Sequence, residues 1–267
     1  MRTIAAVNDR NFKISHSITR VNSTFNFHAH DWYEIYFFES GEIQYYIEDQ
    51  TFLMVAGDML VIPPGKMHRI VTVNESVTYS RMVVDLSEEY VKRLMRVVGG
   101  HFVFRGVTHY HFSTGDEESR IKDLLSSFLT MEADEAGVLS RDATVTLLLI
   151  HLDRLMKQAP VREAKEHQLA QVIRYINANY TRDVTLEEIA DRFFISKYHL
   201  LRRFKALTNS TVHQYILTKR ILLARTLLRQ GIAPAEVATQ CGFSSYAGFY
   251  QAFTAQTGIS PSAFQKE

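Results

Sequence analysis

The first 110 or so residues alternate short apolar runs with turn residues. EIYFFESGEIQYYIE and MLVIPPGKMHRIVTV, which begin at positions 34 and 59, are rich in Val, Ile, Tyr and Phe and are interrupted by Ser-Gly and Pro-Pro-Gly. This pattern is typical of short strands joined by tight turns. A series of such strands predicts a sandwich or small β-barrel over residues 1–112.

The apolar spacing then becomes helical. SRIKDLLSSFLTM and RDATVTLLLIHLDRLM predict helices over about residues 115–133 and 139–158, with Gly137 between them. QAPVREAKEH lacks an apolar period, so we assign residues 159–166 to a linker. Residues 167–267 are helical throughout by the same criterion. The predicted fold class is α+β: an N-terminal β-barrel with appended helices over residues 113–158, followed by an all-α domain.

Composition indicates a folded protein of a reducing compartment. Of the 267 residues 46% are apolar, and Cys241 is the single cysteine, so no disulfide framework is expected. The first 14 residues lack the long apolar run of a signal peptide, and the most apolar stretch, VTLLLIHL, is too short to span a bilayer. We therefore expect a cytoplasmic protein that does not enter a membrane.

Charge is unevenly distributed along the chain. From Pro160 onward there are 14 Lys and Arg against 8 Asp and Glu, whereas the preceding residues hold 16 and 21, giving net charges of +6 and −5. A basic half joined to an acidic half suggests that the C-terminal part meets a polyanion. Taken alone, a mildly basic solvated face would give the same asymmetry.

Two segments of the basic half resemble each other. TLEEIADRFFISKYHLLRRFKALTNS and APAEVATQCGFSSYAGFYQAFTAQTGIS align with Ala190 opposite Ala238 and Phe204 opposite Phe253, with one residue inserted near Cys241. Each segment predicts a short helix, a tight turn and a second helix. The small alanines suit the close crossing of two helices. The repeat therefore predicts two helix-turn-helix units, the motif that places a helix in the DNA major groove.

Capping residues support these boundaries. Thr185 with Glu188 predicts a capping box, and Ser196 suits the N-cap of the next helix. Gly231 suits a helix stop, and Pro234 suits a first helical position.

The second helix of the first unit has its positive charge on one side. Leu200, Phe204 and Leu207 form its apolar stripe. The residues largely off that stripe are Lys197, Tyr198, Leu201, Arg202 and Lys205. A plain helical bundle would also contain helix-turn-helix packing. The repeat, the basic charge and this basic side together favour DNA binding over that alternative.

Residues 167–266 are similar to the DNA-binding domain of the AraC/XylS family of bacterial transcription regulators. The similarity rests on LEEIADRF, ISKYHLLRRFK, YILTKRILLARTLL, the tripeptide CGF and TGISPSAF. It implies recognition helices over about residues 196–207 and 245–255, joined by a helix over about 212–229. That helix would be about 27 Å long, which suits recognition helices in successive major grooves about 34 Å apart.

The resemblance implies a role for each exposed residue of the first recognition helix. Tyr198, Leu201 and Arg202 fall at its base-facing positions. An Arg there suits bidentate bonding to guanine O6 and N7. The residues expected nearer the phosphates are Lys197, His199, Arg203 and Lys205.

The second recognition helix departs from the family pattern. Gln251 and Thr254 replace Arg and Lys, and Gly248 replaces a larger residue, so the helix carries no positive charge. Its expected base-contacting residues are Tyr246, Ala247, Tyr250 and Gln251. Gln251 suits adenine. We expect the first unit to supply most of the affinity and the second mainly to adjust specificity.

The stretch HAHDWYE, at positions 28–34, has a plausible spacing for metal ligands. If it forms one strand, alternate residues share a face, which in a barrel would be the interior. That set comprises His28, His30, Trp32, Glu34, Tyr36 and Phe38. Together with GDMLVIPPGKMH, the stretch resembles the two cupin motifs over about residues 20–75, although an upstream glycine is missing and Thr72 occupies a later Asn position. AraC-type regulators often carry such a barrel as their sensor domain.

Three interpretations of this cluster remain open. It could bind a small polar effector, hold a divalent metal that helps to bind the effector, or be a structural barrel whose polar residues satisfy each other. The aromatic residues favour the first, because aromatic faces beside convergent polar groups suit a sugar. The expected effector-binding residues are His28, His30, Trp32, Glu34, Tyr36, Tyr46 and His68.

The cupin resemblance also implies a ligand set for a metal. The four ligands would be His28, His30, Glu34 and His68, which suit Zn, Fe, Mn or Ni. We expect no cofactor to be required, and we regard the metal as possible but not favoured.

The two helices before the linker have two interpretations. They could simply pack on the barrel, or they could form a dimer interface, as the resemblance implies. Leu124, Leu125, Phe128 and Leu129 form a stripe wide enough to bury against a twin helix. Because DNA-binding regulators are often two-fold, we expect a homodimer.

These observations predict a cytoplasmic, non-catalytic transcription activator. It would bind double-stranded promoter DNA, contact RNA polymerase and respond to a small polar effector, with carbohydrates first among the classes. The alternative is a metal-dependent cupin enzyme whose helical tail is a protein-interaction module.

Overall fold

A computed structural model describes residues 2–19, 26–73, 77–97, 106–112, 115–131, 135–158, 165–166 and 169–266. The strands are β1 Arg2–Asn8, β2 Phe12–Thr19, β3 Trp32–Ser40, β4 Ile43–Ile47, β5 Gln50–Met54, β6 Asp58–Ile62, β7 His68–Thr72, β8 Tyr79–Ser87, β9 Thr108–His111 and β10 Lys165–Glu166. The helices are α1 Glu88–Val97, α2 Gly115–Phe128, α3 Glu135–Gln158, α4 Ala170–Asn179, α5 Leu186–Arg192, α6 Lys197–Thr208, α7 Val212–Arg229, α8 Pro234–Gln240, α9 Tyr246–Thr257 and α10 Pro261–Phe264. The predicted α+β class is confirmed.

Two antiparallel sheets build the N-terminal domain. The larger has the strand order β1-β2-β8-β3-β6-β9, and the smaller has the order β10-β5-β4-β7. Tyr36 and Phe38 of β3 are buried with Tyr45 of β4 in the core between the sheets. Ile35 and Phe37 face the other way, into a core shared with α1, α2 and α3. Strand β3 is therefore buried on both faces, which explains its nearly continuous apolar sequence.

Helix α2 packs its apolar stripe on its own domain. Leu125 and Phe128 are each 1% exposed, and the Phe128 ring lies 5.0 Å from the ring of Phe12 in β2. Leu125 and Phe128 are therefore covered within their own domain, as the packing alternative predicts, whereas Leu124 and Leu129 of the same stripe are half-buried.

Some element boundaries differ from the prediction. Gly137 lies inside α3 rather than between two helices, close enough to its start for the low helix propensity of glycine to be tolerated. Residues 132–134 lie outside the described residues. At the end of the predicted linker, Lys165 and Glu166 form a strand that pairs with Thr51 and Gln50. The remaining linker positions, 159–164, lie outside the described residues.

The C-terminal helices form two apolar cores, one for each helix-turn-helix unit. Leu200 and Phe204 of α6 lie in the first, and Phe249 and Phe253 of α9 lie in the second. Helix α7 extends from one core to the other and has the predicted bounds, Val212–Arg229. Within the described ranges, no helix has both the length and the apolar character needed to cross a membrane.

Candidate DNA interface and effector site

Helices α5 and α6 form the first helix-turn-helix unit. The hydroxyls of Thr185 and Ser196 cap them, each accepting a bond from a backbone N–H in the first turn. Ala190 is buried, and its carbonyl accepts a bond of 3.0 Å from the N–H of Ile195, which closes the turn. Local capping and one small residue thus fix how α6 is presented.

The outer side of α6 is open to solvent. Tyr198 is 74% exposed, and the Arg202 guanidinium lies 6.0 Å from its ring centroid. His199 is half-buried. The other predicted contact residues that are exposed are Lys197, Leu201, Arg203 and Lys205. The predicted DNA-contacting residues of this helix are therefore brought together on one accessible surface.

Two cations of α6 have protein partners. Lys197 forms an ion pair with Glu187 of α5. Lys205 donates a hydrogen bond of 2.9 Å to the carbonyl of Asn209, which ends the helix in a left-handed conformation. These contacts lie at the two ends of the helix.

Helix α9 presents an uncharged surface. Ser245 caps it by accepting a bond from the Gly248 N–H. The rings of Tyr246 and Tyr250 lie 6.3 Å apart on its solvent side. The predicted contact residues, all exposed, are Tyr246, Ala247, Tyr250 and Gln251. The second unit therefore offers aromatic and amide groups in place of positive charge.

The turns of the two units differ at one equivalent position. Gly242 has φ +79°, and a Cβ there would lie 2.1 Å from the Thr181 carbonyl oxygen. Phe194 occupies the equivalent position in the first turn, with φ +53° and a 95% exposed side chain. Only glycine fits the second turn, whereas the first accommodates a side chain despite an unfavourable backbone conformation.

Four cupin-motif residues converge near one end of the β domain. His28 and His68 pair through backbone hydrogen bonds of 3.0 and 2.8 Å, and their ring centroids lie 4.4 Å apart. The Glu34 carboxylate lies 3.0 Å from His30 Nε2 and 3.5 Å from His68 Nε2. Because β3 begins at Trp32, the condition that the two preceding histidines lie on one strand with Glu34 is not met. Backbone pairing with β7 brings His28 to the cluster instead.

Two residues that the sequence analysis missed complete the cluster. Tyr45 donates a hydrogen bond of 2.6 Å to Glu34. Asp85 is the cross-strand neighbour of Glu34 in β8 and lies close enough to Glu34 and His30 for their charges to affect its pKa. Alternation along β4 was the only sequence signal for Tyr45, and register decides which of two adjacent tyrosines faces inward.

Trp32 joins this cluster through its backbone, because its carbonyl accepts a hydrogen bond of 3.1 Å from His30 Nδ1. The Trp32 ring lies 4.6 Å beneath the Lys13 ammonium. Tyr46 faces away from the interior, packs against the first helical core and donates a hydrogen bond to Gln44. Tyr36 is buried in the interior, with its ring 5.0 Å from that of Tyr45.

The cluster perturbs the protonation of its members in different directions. Burial, followed by the charge of His68, lowers the pKa of His28 to about 4. Burial alone would also lower the pKa of His30, but the hydrogen bond and charge of Glu34 outweigh it and raise that pKa. Burial and then the charge of Glu34 raise the pKa of Asp85 to about 6. The site thus contains both hydrogen-bond donors and acceptors near neutral pH.

The inner face of the larger sheet contains buried polar atoms that have no hydrogen-bond partner among the described residues. These atoms are Ser17 Oγ, Tyr36 OH, Tyr79 OH and Asp85 Oδ1. Strand pairing places Ser17 beside Arg81, whose guanidinium stacks 4.9 Å from the Tyr79 ring. Buried polar groups normally have partners, so this row of hydroxyls and carboxylate is suited to a polar ligand or bound water.

The fold and the exposed helices define a DNA-binding transcription regulator with a ligand-binding domain. Residues 16–173 match the family described as AraC-like ligand binding domain, and residues 189–267 match the family described as Helix-turn-helix domain. The chain therefore belongs to the AraC family, as its motifs predicted.

Relatives cover most of the chain. It is 27% identical over 224 residues to the uncharacterized HTH-type transcriptional regulator YbfI of Bacillus subtilis (strain 168), covering 81% of this chain and 78% of the relative. It is 25% identical over 252 residues to the probable transcriptional regulator LumQ of Photobacterium leiognathi, covering 94% and 96%. It is 25% identical over 246 residues to the HTH-type transcriptional activator RhaR of Shigella dysenteriae serotype 1 (strain Sd197), covering 89% and 86%.

A similarity to a solved structure also spans both domains. The crystal structure of ToxT from Vibrio cholerae O395 matches with 12% identity and a TM-score of 0.43, covering 96% of this chain and 98% of that chain.

Proposed function

We propose that this protein is a cytoplasmic transcription activator whose DNA affinity is controlled by a small polar effector. The observation that supports it best is helix α6, which buries Leu200 and Phe204 while exposing Tyr198 and Arg202. A helix held by its apolar stripe, with a basic side free, suits insertion into a major groove. As an activator, the protein would also bind RNA polymerase.

The two recognition helices have different tasks in this proposal. Arg202 contacts guanine, and the remaining cations of α6 contact phosphates. Gln251 of α9 contacts adenine, with Tyr246 and Tyr250 beside it. Because α7 separates the two units by about 27 Å, the helices enter neighbouring major grooves of one duplex face.

The effector is held in the interior of the β domain. Imidazoles and carboxylates converge there with tyrosine hydroxyls that lack a partner in the part of the chain that the structure describes, so the site both donates and accepts hydrogen bonds. A compound with several hydroxyl groups matches this mixture, because each hydroxyl also donates and accepts. Carbohydrates are the class that we propose first.

A thermal-shift screen of the full chain against neutral sugars, sugar acids and polyols tests this proposal. A ligand at 100 times its Kd adds about 2.7 kcal/mol to the free energy of unfolding. His30→Ala should remove the response to the sugar that stabilises the parent, while its binding to promoter DNA persists. A variant that keeps the full response would exclude this site.

A divalent metal is the second candidate ligand. One ligand atom each from His30, Glu34 and His68 lies within 4.8 Å of the others, so three donors fit a single ion. His28, whose pKa is lowered to about 4 by burial and by the charge of His68, lies outside this group of three. A bound metal would supply a Lewis acid for effector hydroxyls.

Equilibrium dialysis against Zn²⁺ followed by elemental analysis separates the two candidates. One ion per parent chain, lost in Glu34→Gln, would favour the metal. We also propose that the chain is a regulator and not an enzyme. A regulator of this kind should still bind promoter DNA when a chelator has removed the metal. Turnover that depended on stoichiometric metal would instead favour a metal-dependent enzyme.

We also propose a homodimer, formed through α3 rather than α2. Leu139 and Leu147 are 71% and 57% exposed and share a helix side with Ala143 and Ile150. A second copy of the same stripe would cover them and give the two-fold symmetry that paired DNA sites require. Leu147→Glu should shift sedimentation toward the monomer, and an unchanged dimer would exclude this surface.

A further inference from the structure

Two carboxylates of the β domain hold the helix that joins the two DNA-binding units. Asp31 pairs with Arg225 at 2.9 Å and also with Arg229. Glu48 pairs with Lys219 at 2.9 Å and with Lys66 of its own domain at 2.9 Å. The side chains of Asp31 and Glu48 are only 11% and 9% exposed, so these contacts are largely shielded from water.

The same contacts are connected to the predicted effector residues by short backbone links. Asp31 directly follows His30, and the His30 carbonyl accepts a hydrogen bond of 2.8 Å from the Gly65 N–H. The Gly65 carbonyl in turn accepts a bond of 3.1 Å from Lys219. Two successive hydrogen bonds therefore connect the backbone of His30 to Lys219 of α7.

The other two histidines of the site are connected to the first DNA-binding unit through apolar neighbours. Phe27 and Met67 each precede one of these histidines and are buried in the core that contains Phe204 of α6. The Phe27 N–H also donates a hydrogen bond of 3.0 Å to the carbonyl of Thr208, the last residue of α6. Effector site and recognition helix thus share a packed connection.

Glu48 adopts a left-handed backbone conformation that is unfavourable for a glutamate. Glu48 has φ +48° in the tight turn between β4 and β5, a conformation for which Gly, Asn and Asp are preferred. Its N–H donates a bond of 2.8 Å to the Met67 carbonyl, and its carboxylate lies between two lysines from different domains. The ion pairs explain why a glutamate occupies a turn position that disfavours it.

We propose that Asp31 and Glu48 form a clasp on α7, and that opening or closing this clasp transmits effector binding to the DNA-binding half. The proposal rests on the proposed function, since it assigns the regulation of that site. Largely buried charges are costly to leave unpaired, so partly opened states are disfavoured and the clasp behaves as a two-state element. A cavity of about 270 Å³, lined partly by Asp31, Lys66 and Lys219, gives these side chains room to separate.

Hydrogen exchange of the full chain, without DNA or effector, tests the clasp. Glu48→Asn keeps a residue suited to the turn but leaves Lys66 and Lys219 facing each other without the carboxylate. Asp31→Asn likewise removes the carboxylate that pairs with Arg225. Each substitution should speed exchange at least tenfold across residues 26–31 and 219–229, with the strands of the β domain unchanged.

Asp49→Asn is the matched control. Asp49 lies in the same turn and pairs with Arg174 of α4 at the longer distance of 3.4 Å, so its loss should leave exchange in both segments unchanged. Parental exchange in Glu48→Asn and Asp31→Asn would overturn the proposal.

Fluorescence anisotropy with promoter DNA provides the second arm. The two clasp variants should change DNA affinity at least fivefold relative to the parent, whereas Asp49→Asn should not. Faster exchange with unchanged affinity would show a structural contact and overturn the role in transmission. The exchange result does not depend on how DNA is recognised, so failure of the clasp and failure of α6 as recognition helix are distinguishable.

Discussion

Phe194 combines an unfavourable backbone with a side chain that packs on almost nothing. A left-handed conformation costs an L-residue about 1–2 kcal/mol, and glycine would remove this cost. Part of that gain would be offset, because glycine also gives the unfolded chain more conformational freedom. Phe194→Gly should therefore raise the free energy of unfolding by up to about 1 kcal/mol in urea denaturation.

Gly242→Ala is the contrasting substitution at the equivalent turn. Its Cβ would collide with the Thr181 carbonyl oxygen, so we expect a clear loss of stability. A Phe194→Gly protein less stable than the parent would show that the phenyl group makes a stabilising contact.

Asp85 gives the effector site a defined pH dependence. Its pKa is about 6 in the folded protein against 3.8 as the ordinary value, so the folded state prefers the protonated form. The stability from this preference is complete below about 3.8 and is lost as pH rises through about 6. Asp85→Asn removes the ionisation, and its stabilising effect should grow by about 1 kcal/mol between about pH 5 and pH 8.

Glu34 provides the opposite sign for comparison. Its pKa is held well below the ordinary value, because the charge of His68 and the hydrogen bond from His30 outweigh burial. Glu34→Gln should therefore destabilise the protein at about pH 8, where Asp85→Asn stabilises it. Equal urea midpoints for parent and Asp85→Asn across this pH range would contradict the assigned shift.

At the residue scale, spacing predicted the cluster but not all of its members. The cupin motifs correctly brought His28, His30, Glu34 and His68 together, because each motif is a local sequence signal. Tyr45 and Asp85 join through strand register, which depends on pairing between segments distant in sequence. A shift of the strand register by one residue would turn Tyr46 inward in place of Tyr45, so the sequence alone could not choose between the two tyrosines.

At the element scale, the helices with strong local caps were the most predictable. Helix α7 has the predicted bounds, and Thr211 with Gln214 forms a full capping box at its start. Thr185 caps α5 as predicted, but the Glu188 carboxylate pairs with Arg182 instead of completing a box. Strand β10 exists only through its pairing with β5, so no periodicity within the linker could indicate it.

The proposed phosphate and base contacts of α6 should have separable effects on DNA binding. Substitution of Lys205 tests the phosphate contacts. As a phosphate contact, Lys205→Ala should weaken binding evenly across sequences and reduce the slope of log affinity against log salt by about 1. Lys266→Ala removes the same charge outside the recognition helices and serves as the control. A loss confined to one base position would instead make Lys205 a base contact.

At the scale of the whole molecule, charge asymmetry predicted the division of labour but not how the halves meet. The acidic half and the basic half are joined through Asp31 and Glu48 against cations of α7, contacts that span more than 150 positions of sequence. No local pattern distinguishes these carboxylates from solvated ones. The α2 stripe shows the same limit, since only tertiary packing decides whether an apolar helix side meets its own domain or a partner.

The central claim is that α6 recognises DNA through Arg202. Measuring which bases the protein prefers at each position of its site tests this claim most directly. Binding of the full chain to a randomised duplex pool would be compared for the parent and Arg202→Ala. The account predicts that the variant loses a guanine preference at one position of the site and about 1–3 kcal/mol of specific binding, with non-specific binding little changed. An Arg202→Ala protein that selects the same sequences as the parent would contradict it.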